Sequence, residues 1–236
     1  MRLDALLSRL GYGSRSDVQR LIRRGAVAVA GETVRDPSRS VLPGMQLSVE
    51  EKPVDSRVER TVMLHKPAGV LTAAKDPRAA TVMDLLPPVY RSLSCMPVGR
   101  LDKDTTGLLL LTTDGELAHR LISPKREIEK TYLATTDTPL QAEDIKAFAQ
   151  GLALSDFTAK PAVLGIVDAY TARITVTEGK YHQVRRMLAA CGHDTLTLHR
   201  ERVGPLRLDA ALRPGEMREL TADELSAVKQ SVELPV

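Results

Sequence analysis

Leucine spacing dominates the beginning of the chain. Residues 3–10 repeat leucine at i, i+3, i+4 and i+7, which predicts an amphipathic helix. A second helix is predicted from Ser14, which forms a capping-box pattern with Asp17, to Gly25, where the helix can end. Alternating apolar residues at 27–34 then predict a short hairpin that packs on the two helices.

Strand and helix patterns alternate through the rest of the chain. Residues 50–60 are polar, contain a proline and show no period, which indicates a linker. Beyond it, apolar runs predict strands at 62–64, 69–71, 108–112, 131–135, 174–176 and 196–199. Capping and stop signals predict helices at 117–122, 139–151, 184–192 and after residue 221. We therefore expect a small domain at 1–50, a linker at 51–60 and a larger domain at 61–236.

Composition narrows the class of protein. The chain has 236 residues, of which 43% are hydrophobic and 27% charged, so it can bury a core and is not expected to be disordered. Five Tyr and two Phe carry its only large rings, and Trp is absent. This scarcity argues against a surface that binds nucleic acid on a platform of stacked aromatics.

The sequence carries no membrane or redox signature. It has no run of about 18 apolar residues and no signal-peptide pattern, which favours a cytoplasmic protein without a membrane partner. Cys95 and Cys191 are isolated, so neither a disulfide framework nor a Cys-rich zinc site is expected. Because no heptad or large apolar stripe appears, we expect a monomer.

Positive charge is concentrated near the N-terminus, in a pattern that resembles an RNA-binding domain. Residues 1–49 hold eight arginines against four acidic residues, whereas the rest of the chain is nearly neutral. The two predicted helices and hairpin resemble the S4 RNA-binding domain in segments 2–4, 14–15 and 21–27. A merely solvated helix face is the alternative. The resemblance implies phosphate contacts from guanidinium groups at Arg15, Arg20, Arg23 and Arg24.

The segment 99–112 is the most distinctive of the chain. It reads GRLDKDTTGLLLLT, a loop with carboxylates, an arginine and hydroxyls that runs directly into a buried strand. A loop on a rigid strand is well suited to present a reactive side chain. The spacing leaves three interpretations open: Asp102 is a covalent nucleophile, Asp102 and Asp104 are metal ligands, or both side chains form turns with their own backbone.

This loop and three further segments resemble the motifs of the pseudouridine synthases that modify ribosomal RNA. The others are LHKPAGV at 64–70, EKTYL at 129–133 and EGKYHQVRRM at 178–187. His65 is a departure, because the family usually has Asn there. The resemblance implies a two-domain α+β protein, in which an S4-like domain precedes a catalytic domain with a mixed, largely antiparallel sheet flanked by helices.

The implied reaction isomerises uridine in RNA. The bond between N1 and C1′ breaks, the uracil turns in its pocket, C5 joins C1′ and the C5 proton leaves. No electrons are transferred, so the resemblance implies neither a cofactor nor a metal.

Residue roles follow from the same resemblance. Asp102 is the implied nucleophile, and Arg185 is the cation expected to pair with it and keep it ionised. Tyr132 would stack on the extruded uracil with its hydroxyl near the departing proton, and Arg100 would fill the space that the base leaves. Further RNA contacts are expected from Lys66, Lys180, His182, Arg186, Arg200 and Arg202.

The implied partner is 16S rRNA, free or within an assembling small-subunit particle, with uridine 516 as the target. Three other functions stay open. The chain could act on a uridine of 23S rRNA, or serve as a non-catalytic assembly factor that binds RNA through its S4-like domain. It could also be a metal-dependent sugar-transfer enzyme with its ion at Asp102 and Asp104. Attack of Asp102 on C1′ and elimination through a sugar intermediate are both compatible with the sequence.

Overall fold

The computed structural model describes residues 1–235, which divide into two compact units. The first unit contains residues 1–60 and 86–95, and the second contains residues 61–85 and the chain from residue 96 onward. None of the helices in the described residues is long and apolar enough to cross a membrane.

The first unit packs helices on a small antiparallel sheet. Its elements are α1 (Leu3–Arg9), α2 (Arg15–Arg23), β1 (Val27–Val29), β2 (Glu32–Val34), β3 (Leu47–Val49), β4 (Lys52–Val54) and α3 (Pro88–Ser92). The strands pair antiparallel in the order β2-β1-β3-β4. Leucines 3, 6 and 7 of α1 are fully buried, which is the face that their spacing predicts.

A buried carboxylate connects α1 to α2. Asp4 is fully buried and accepts two hydrogen bonds from Arg2, at 3.0 and 2.9 Å, and one from Gln19 at 2.9 Å. The hydrogen bonds from Arg2 are the largest cause that holds the pKa of Asp4 far below its usual range. At the start of α2, Ser14 and Asp17 form the predicted capping box.

Two segments depart from the predicted domain boundaries. The predicted linker at 51–60 is wrong at its start, because Lys52–Val54 form β4 and pair with β3. Farther along, the Ser56 hydroxyl donates to the Met45 carbonyl at 2.7 Å. In addition, α3 lies inside the predicted larger domain, but Leu93 just after it is buried in the core of the first unit. Both segments therefore belong to the first unit.

The second unit is built on one large mixed sheet. Its strands are β5 (Thr61–Lys66), β6 (Met96–Pro97), β7 (Thr106–Thr112), β8 (Lys130–Thr136), β9 (Leu152–Ala153), β10 (Thr158–Ala159), β11 (Val163–Asp168), β12 (Thr171–Val176), β13 (Thr195–Val203), β14 (Leu206–Arg207) and β15 (Met217–Glu219). Its α-helices are α4 (Gly115–Ile122), α5 (Ala142–Gln150), α6 (Gln183–Ala190) and α7 (Ala222–Ser231), and short 3-10 turns cover Val82–Leu85 and Pro124–Arg126.

The central sheet runs in the order β11-β12-β8-β13-β7-β5-β15. Strand β13 pairs parallel to β7, whereas the other strand neighbours along this order are antiparallel. Strands β14 and β6 add to β13 and β7, and β9 pairs with β10 in a separate hairpin. Two apolar cores, around Phe148 and Leu188 and around Leu110 and Leu117, lie against this sheet. The predicted α+β fold with a mixed, largely antiparallel sheet is confirmed.

Some predicted elements differ in extent. The strand expected at 69–71 is reduced to a single bridge between Leu71 and Thr81. The helix expected at 139–151 covers only Ala142–Gln150, because the backbone of Gln141, not that of Thr138, is the N-cap.

Gly107 permits the parallel pairing at the centre of the sheet. It has a positive φ of 106°, and a Cβ at this position would lie 2.3 Å from the carbonyl oxygen and 2.6 Å from the nitrogen of Arg200. Strand β13 therefore approaches β7 closely only because residue 107 has no side chain.

We predict that Gly107→Ala lowers the free energy of unfolding by at least about 2 kcal/mol, because the methyl group meets backbone that cannot rotate away. Chemical denaturation of the purified variant measures the change. Gly115→Ala is the matched control, since nothing lies within 4 Å of the position that its Cβ would occupy. Equal stability of the two variants would contradict this explanation of the close strand contact.

Candidate active site

Asp102 lies on the loop that connects β6 to β7. A backbone turn closes the loop, since the Thr105 N–H donates to the Asp102 carbonyl at 3.1 Å. Leu101 anchors it, because its carbonyl accepts from the Thr72 hydroxyl at 2.8 Å and its N–H donates to the same oxygen at 3.2 Å. The Asp102 side chain is 36% exposed and accepts no backbone hydrogen bond in the described residues. The turn-forming interpretation of this carboxylate is therefore not supported.

The ammonium group of Lys66 fastens the same loop to the end of β5. Lys66 is fully buried, and its Nζ donates to the carbonyl oxygens of Pro67 at 3.0 Å, Lys103 at 3.1 Å and Thr105 at 2.9 Å. Burial lowers the pKa of Lys66 to about 8, although the carboxylates of the loop oppose this shift. The predicted contact of Lys66 with RNA is wrong, because its ammonium hydrogens are used inside the protein.

A cleft of about 240 Å³ opens beside the loop. Its walls come from the loop itself, the end of α4, β8, the turn that precedes α6, and β13. The cleft brings together six of the predicted site residues from separate parts of the sequence: Arg100, Asp102, Tyr132, Lys180, His182 and Arg200. Pockets lined by apolar walls and a few convergent polar groups are typical of ligand sites.

His182 is the basic side chain nearest to Asp102. Its Nε2 lies 3.4 Å from the Asp102 Oδ1, and both side chains are partly exposed. The residue has a left-handed backbone, with φ of 50°, and forms the N-cap of α6. This conformation is uncommon for a residue other than glycine and is often found at functional sites. A protonated imidazole at this position favours the ionised carboxylate.

The predicted ion pair between Arg185 and Asp102 is not formed in this structure. Arg185 lies three residues beyond His182 on α6, and its guanidinium donates to the Thr195 carbonyl at 3.1 Å. It does not line the cleft. The helix therefore turns Arg185 toward the start of β13, and His182 occupies the place beside Asp102 that was expected for arginine.

Tyr132 lines the cleft from β8, next to a buried arginine. Its register partner on β13 is Arg200, whose guanidinium carbon lies 6.0 Å from the centre of the Tyr132 ring. Arg200 is buried, and its Nε donates to the Leu108 carbonyl at 2.8 Å. Arg200 is therefore not a freely exposed cation, but it lines the cleft, and its contact with RNA stays a prediction. The residue lies in the wall of the cleft and contributes positive charge close to the tyrosine ring.

Lys130 is a cleft residue that the sequence prediction missed. Its Nζ donates to the Ile128 carbonyl at 2.7 Å. Burial, together with the charge of Arg200, lowers the pKa of Lys130 to about 8. The residue stands two positions before Tyr132 in the EKTYL segment, and the alternation of side chains along a strand could have placed both on the cleft face.

Two buried polar residues hold the turn before α6. Gln183 donates to Glu178 at 2.7 Å and accepts from the Lys180 N–H at 3.0 Å. Glu178 also accepts from the Lys160 N–H at 2.9 Å. Both residues line the cleft and were not predicted to have a role. Their position within the EGKYHQVRRM segment was the available signal.

The remaining predicted RNA contacts fall into two groups. Arg100 and Lys180 are exposed at the cleft, and Arg100 forms no hydrogen bond or ion pair within residues 1–235. By contrast, Arg186 pairs with Asp156, and the Nε of Arg202 donates to the Gly204 carbonyl at 2.6 Å. Neither of these two arginines lines the cleft.

His65, where the family usually has asparagine, faces other partners. Its Nδ1 donates to the Leu212 carbonyl at 2.8 Å, which fixes the tautomer, and its ring makes an edge contact with His199 at 5.4 Å. His199 Nδ1 in turn lies 2.8 Å from the Thr106 hydroxyl. Burial, with a smaller contribution from His65, lowers the pKa of His199. His65, in place of asparagine, therefore connects β5 by a hydrogen bond to the chain segment before β15.

Arg15, Arg20, Arg23 and Arg24 of the first unit are exposed to solvent. Arg23 is exposed and its side chain has no ion-pair partner in the described residues. Arg20 pairs with Asp17 and Arg24 with Glu50 at the surface, whereas Arg15 lies 3.7 Å from the fully buried Asp4. Exposed pairs of this kind contribute little stability, so phosphates can replace the carboxylates.

Acidic and histidine side chains do not form a metal site in residues 1–235. Within that range no group of three or more His, Cys, Asp or Glu residues is placed to hold a metal ion. Among the residues described, Asp102, Asp104 and the neighbouring His182 are therefore not arranged as a metal site.

Comparison with known proteins identifies the class. A model of the RNA pseudouridylate synthase family matches residues 60–190, and a model of the S4 domain matches residues 1–47. A crystal structure described as a pseudouridylate synthase superposes with a TM-score of 0.69 and 36% identity, covering 97% of this chain and 99% of that one. The fold is therefore that of an RNA pseudouridine synthase with an N-terminal S4 domain.

Similar proteins extend along the whole chain. It is 42% identical to ribosomal small subunit pseudouridine synthase A of Escherichia coli strain K12, over 97% of this chain and 100% of that protein. It is 43% identical to an uncharacterized RNA pseudouridine synthase, YtzG, of Bacillus subtilis, over 98% of this chain and 99% of that protein. This chain belongs to the RNA pseudouridine synthase family, and the resemblance inferred from its motifs is confirmed.

We predict that Lys66→Met lowers both stability and turnover. The substitution removes the ammonium hydrogen bonds to three carbonyl oxygens, although the Lys103 oxygen keeps the Gly69 N–H as a donor. This loss should reduce the free energy of unfolding by about 2 kcal/mol or more. Because the Asp102 loop loses its anchor, kcat for pseudouridine formation should fall more than KM rises. Denaturation and steady-state kinetics measure the two effects.

Lys75→Met is the matched control, because Lys75 is exposed. This control should keep the stability and activity of the unmodified protein. If Lys66→Met behaved like the control, the ammonium would not be what positions the loop.

Proposed function

We propose that this chain converts one uridine of 16S rRNA to pseudouridine with Asp102 as the nucleophile. One observation carries the proposal: the cleft places a partly exposed carboxylate, Asp102, in the same cavity as one aromatic ring, Tyr132, and one guanidinium, Arg100, that is unpaired within the described residues. The cavity of about 240 Å³ has room for a single nucleoside. The choice of 16S rRNA rests on the likeness to the E. coli small subunit enzyme, and uridine 516 is the target that this likeness implies.

The substrate nucleotide has to leave its stack to reach Asp102. Extrusion costs a few kcal/mol and is cheapest where the base is already unpaired, so a loop or bulge of the rRNA is the favoured substrate. Arg100 stands at the cleft with no partner inside the described residues, and its planar guanidinium suits the space that the base vacates. This site would exist in free rRNA or in an assembling small-subunit particle.

The chemistry needs an ionised carboxylate next to the ribose. His182 at 3.4 Å supplies a neighbouring cation when it is protonated, and the buried Lys66 adds positive charge behind the loop. As the N1–C1′ bond breaks, its electron pair moves to the uracil. Asp102 acts on the ribose by attack at C1′ or by elimination. C5 then bonds to C1′, the C5 proton leaves and N1 gains one, so atoms and electrons balance.

Tyr132 is placed to hold the detached uracil during this exchange. Stacking on one aromatic ring contributes about 1 to 3 kcal/mol, which keeps the base in the cleft after the glycosidic bond has broken. Arg200 beside the ring adds positive charge that favours an electron-rich uracil. The Tyr132 hydroxyl is the candidate group for removal of the C5 proton.

The arginine face of α2 is proposed to bind RNA phosphates outside the cleft. Its members are Arg15, Arg20, Arg23 and Arg24, all exposed in the first unit. Because they would displace counterions from the RNA, this contribution to affinity should weaken as salt rises.

We predict that Asp102→Asn reduces pseudouridine formation in 16S rRNA by at least about 1000-fold, because the amide cannot act as a nucleophile. The readout is pseudouridine yield from an rRNA transcript and from a small-subunit particle. Asp104→Asn is the matched control on the same loop and should retain activity, since Asp104 is exposed and does not line the cleft. An Asp102→Asn protein that is folded and fully active would refute the role of Asp102.

We also predict that cells without the gene lose a single pseudouridine from 16S rRNA, at position 516. Pseudouridine mapping of both rRNAs, with and without the gene, measures this loss. Complementation with the natural gene should restore the site, whereas the Asp102→Asn gene should not. A loss confined to 23S rRNA would contradict the proposed substrate, and an unchanged map would favour the assembly-factor alternative.

A further inference from the structure

Tyr181 is the most exposed aromatic residue among the large hydrophobics of the described chain, and the proposed chemistry does not use it. Its side chain is 75% exposed, although the chain has only seven Phe and Tyr rings. Tyr181 does not line the cleft, but its neighbours Lys180 and His182 on either side do. The ring therefore stands at the edge of the cleft, outside the space for the target uridine.

One face of the Tyr181 ring lies flat on the ring of His182. The two ring centres are 3.8 Å apart and the planes differ by 17°. Since His182 lies 3.4 Å from Asp102, the order from the cleft outward is carboxylate, imidazole and phenol. The Tyr181 hydroxyl forms no hydrogen bond with any described residue, so neither it nor most of the ring is used by the protein.

The backbone that carries Tyr181 is held rigidly. Gln183 binds both Glu178 and the Lys180 N–H, and Arg186 donates to the Tyr181 carbonyl at 3.5 Å. The left-handed conformation of His182 fixes the direction in which the chain enters α6. The exposed ring is therefore presented by a braced turn, which lowers the entropy lost when a ligand stacks on it.

The charged residues around Tyr181 indicate which class of ligand its ring would bind. Lys180 and Arg100 are exposed residues of the cleft wall and have no carboxylate partner in the described residues. The Lys180 ammonium lies 5.6 Å from the centre of the Phe157 ring. A flat exposed ring beside cations suits a nucleobase with its phosphate better than an apolar protein surface. When a uridine occupies the cleft, the nucleotide next to it has to pass this edge.

We propose that Tyr181 stacks on the base of the nucleotide adjacent to the target uridine. The inference rests on the proposed function, because it requires an RNA strand in the cleft. It makes Tyr181 a binding residue that favours unpaired flanking sequence, since only an unstacked base can lie on the ring. It also explains how so few aromatic residues serve this enzyme: Tyr132 holds the target base inside the cleft, and Tyr181 holds its neighbour outside.

The test uses the full-length protein and a short 16S rRNA fragment centred on the uridine that the natural enzyme modifies. Tyr181→Ala should weaken binding and raise KM by about 5- to 100-fold, the value of one base stacked on an aromatic ring, with a smaller change in kcat. Tyr181→Phe should stay within about twofold, because stacking needs the ring and not the hydroxyl. Tyr170→Ala is the control, since Tyr170 is 47% exposed and does not line the cleft.

Abasic substitution of the RNA identifies the stacked base. Removal of the base on one side of the uridine should weaken binding to the natural enzyme by the same factor as Tyr181→Ala, and should not weaken binding to that variant further. The proposal is overturned if Tyr181→Ala binds like the natural protein, if it lowers kcat alone, or if both abasic penalties persist in the variant. A natural enzyme that binds the fragment with this dependence on Tyr181 but forms no pseudouridine would instead contradict the proposed function.

Discussion

The buried ammonium of Lys66 is the interaction on which the active site depends. A buried ammonium group is tolerated only when its N–H groups donate hydrogen bonds. Here they donate to three carbonyl oxygens, from the turn after β5 and from the Asp102 loop. The lysine thereby converts a flexible polar loop into a fixed platform for one carboxylate. Asp104 and Asp102 in turn act to raise the pKa of Lys66 against the larger effect of burial, so the loop's carboxylates help to keep the ammonium charged.

Two basic residues that the sequence analysis assigned to RNA contacts are buried because they donate to backbone carbonyl groups. Lys66 follows an apolar run, and Arg200 sits among charged residues, so both patterns indicate solvent-exposed side chains. In the fold, both lie where carbonyl groups need donors: Lys66 at the loop, and Arg200 at Leu108 on β7. The periodicity of the sequence does not predict these hydrogen bonds, because the acceptors come from chain segments that are distant in sequence.

Short-range sequence patterns predicted the helices that interactions between neighbouring residues stabilise. The leucine spacing at 3–10 and the capping box at Ser14 predicted the helices of the first unit correctly. Strand β4 was missed because its pairing with β3 depends on tertiary register rather than on its polar composition. Asp102 and Tyr132 lie in one cleft, as the motif segments suggested, but His182 and not the expected Arg185 lies beside Asp102. Which of the two reaches Asp102 depends on where α6 begins. The left-handed backbone at His182 sets that boundary, and no residue pattern in the sequence predicts this conformation.

The two units use positive charge in different ways, and the difference follows from burial. Arg20 on α2 and Arg24 at its C-terminal end form exposed pairs with acidic residues, and such pairs are weak enough for phosphates to replace. Lys66 behind the Asp102 loop and Arg200 in the cleft wall are instead buried and bound to carbonyl groups, where salt has little influence. In the proposed function, affinity for the RNA backbone comes from exposed arginines whose acidic partners phosphates can replace. The proposed chemistry depends instead on buried cations whose positions the fold fixes. This separation allows weak, salt-sensitive contacts to deliver the RNA without disturbing the geometry around Asp102.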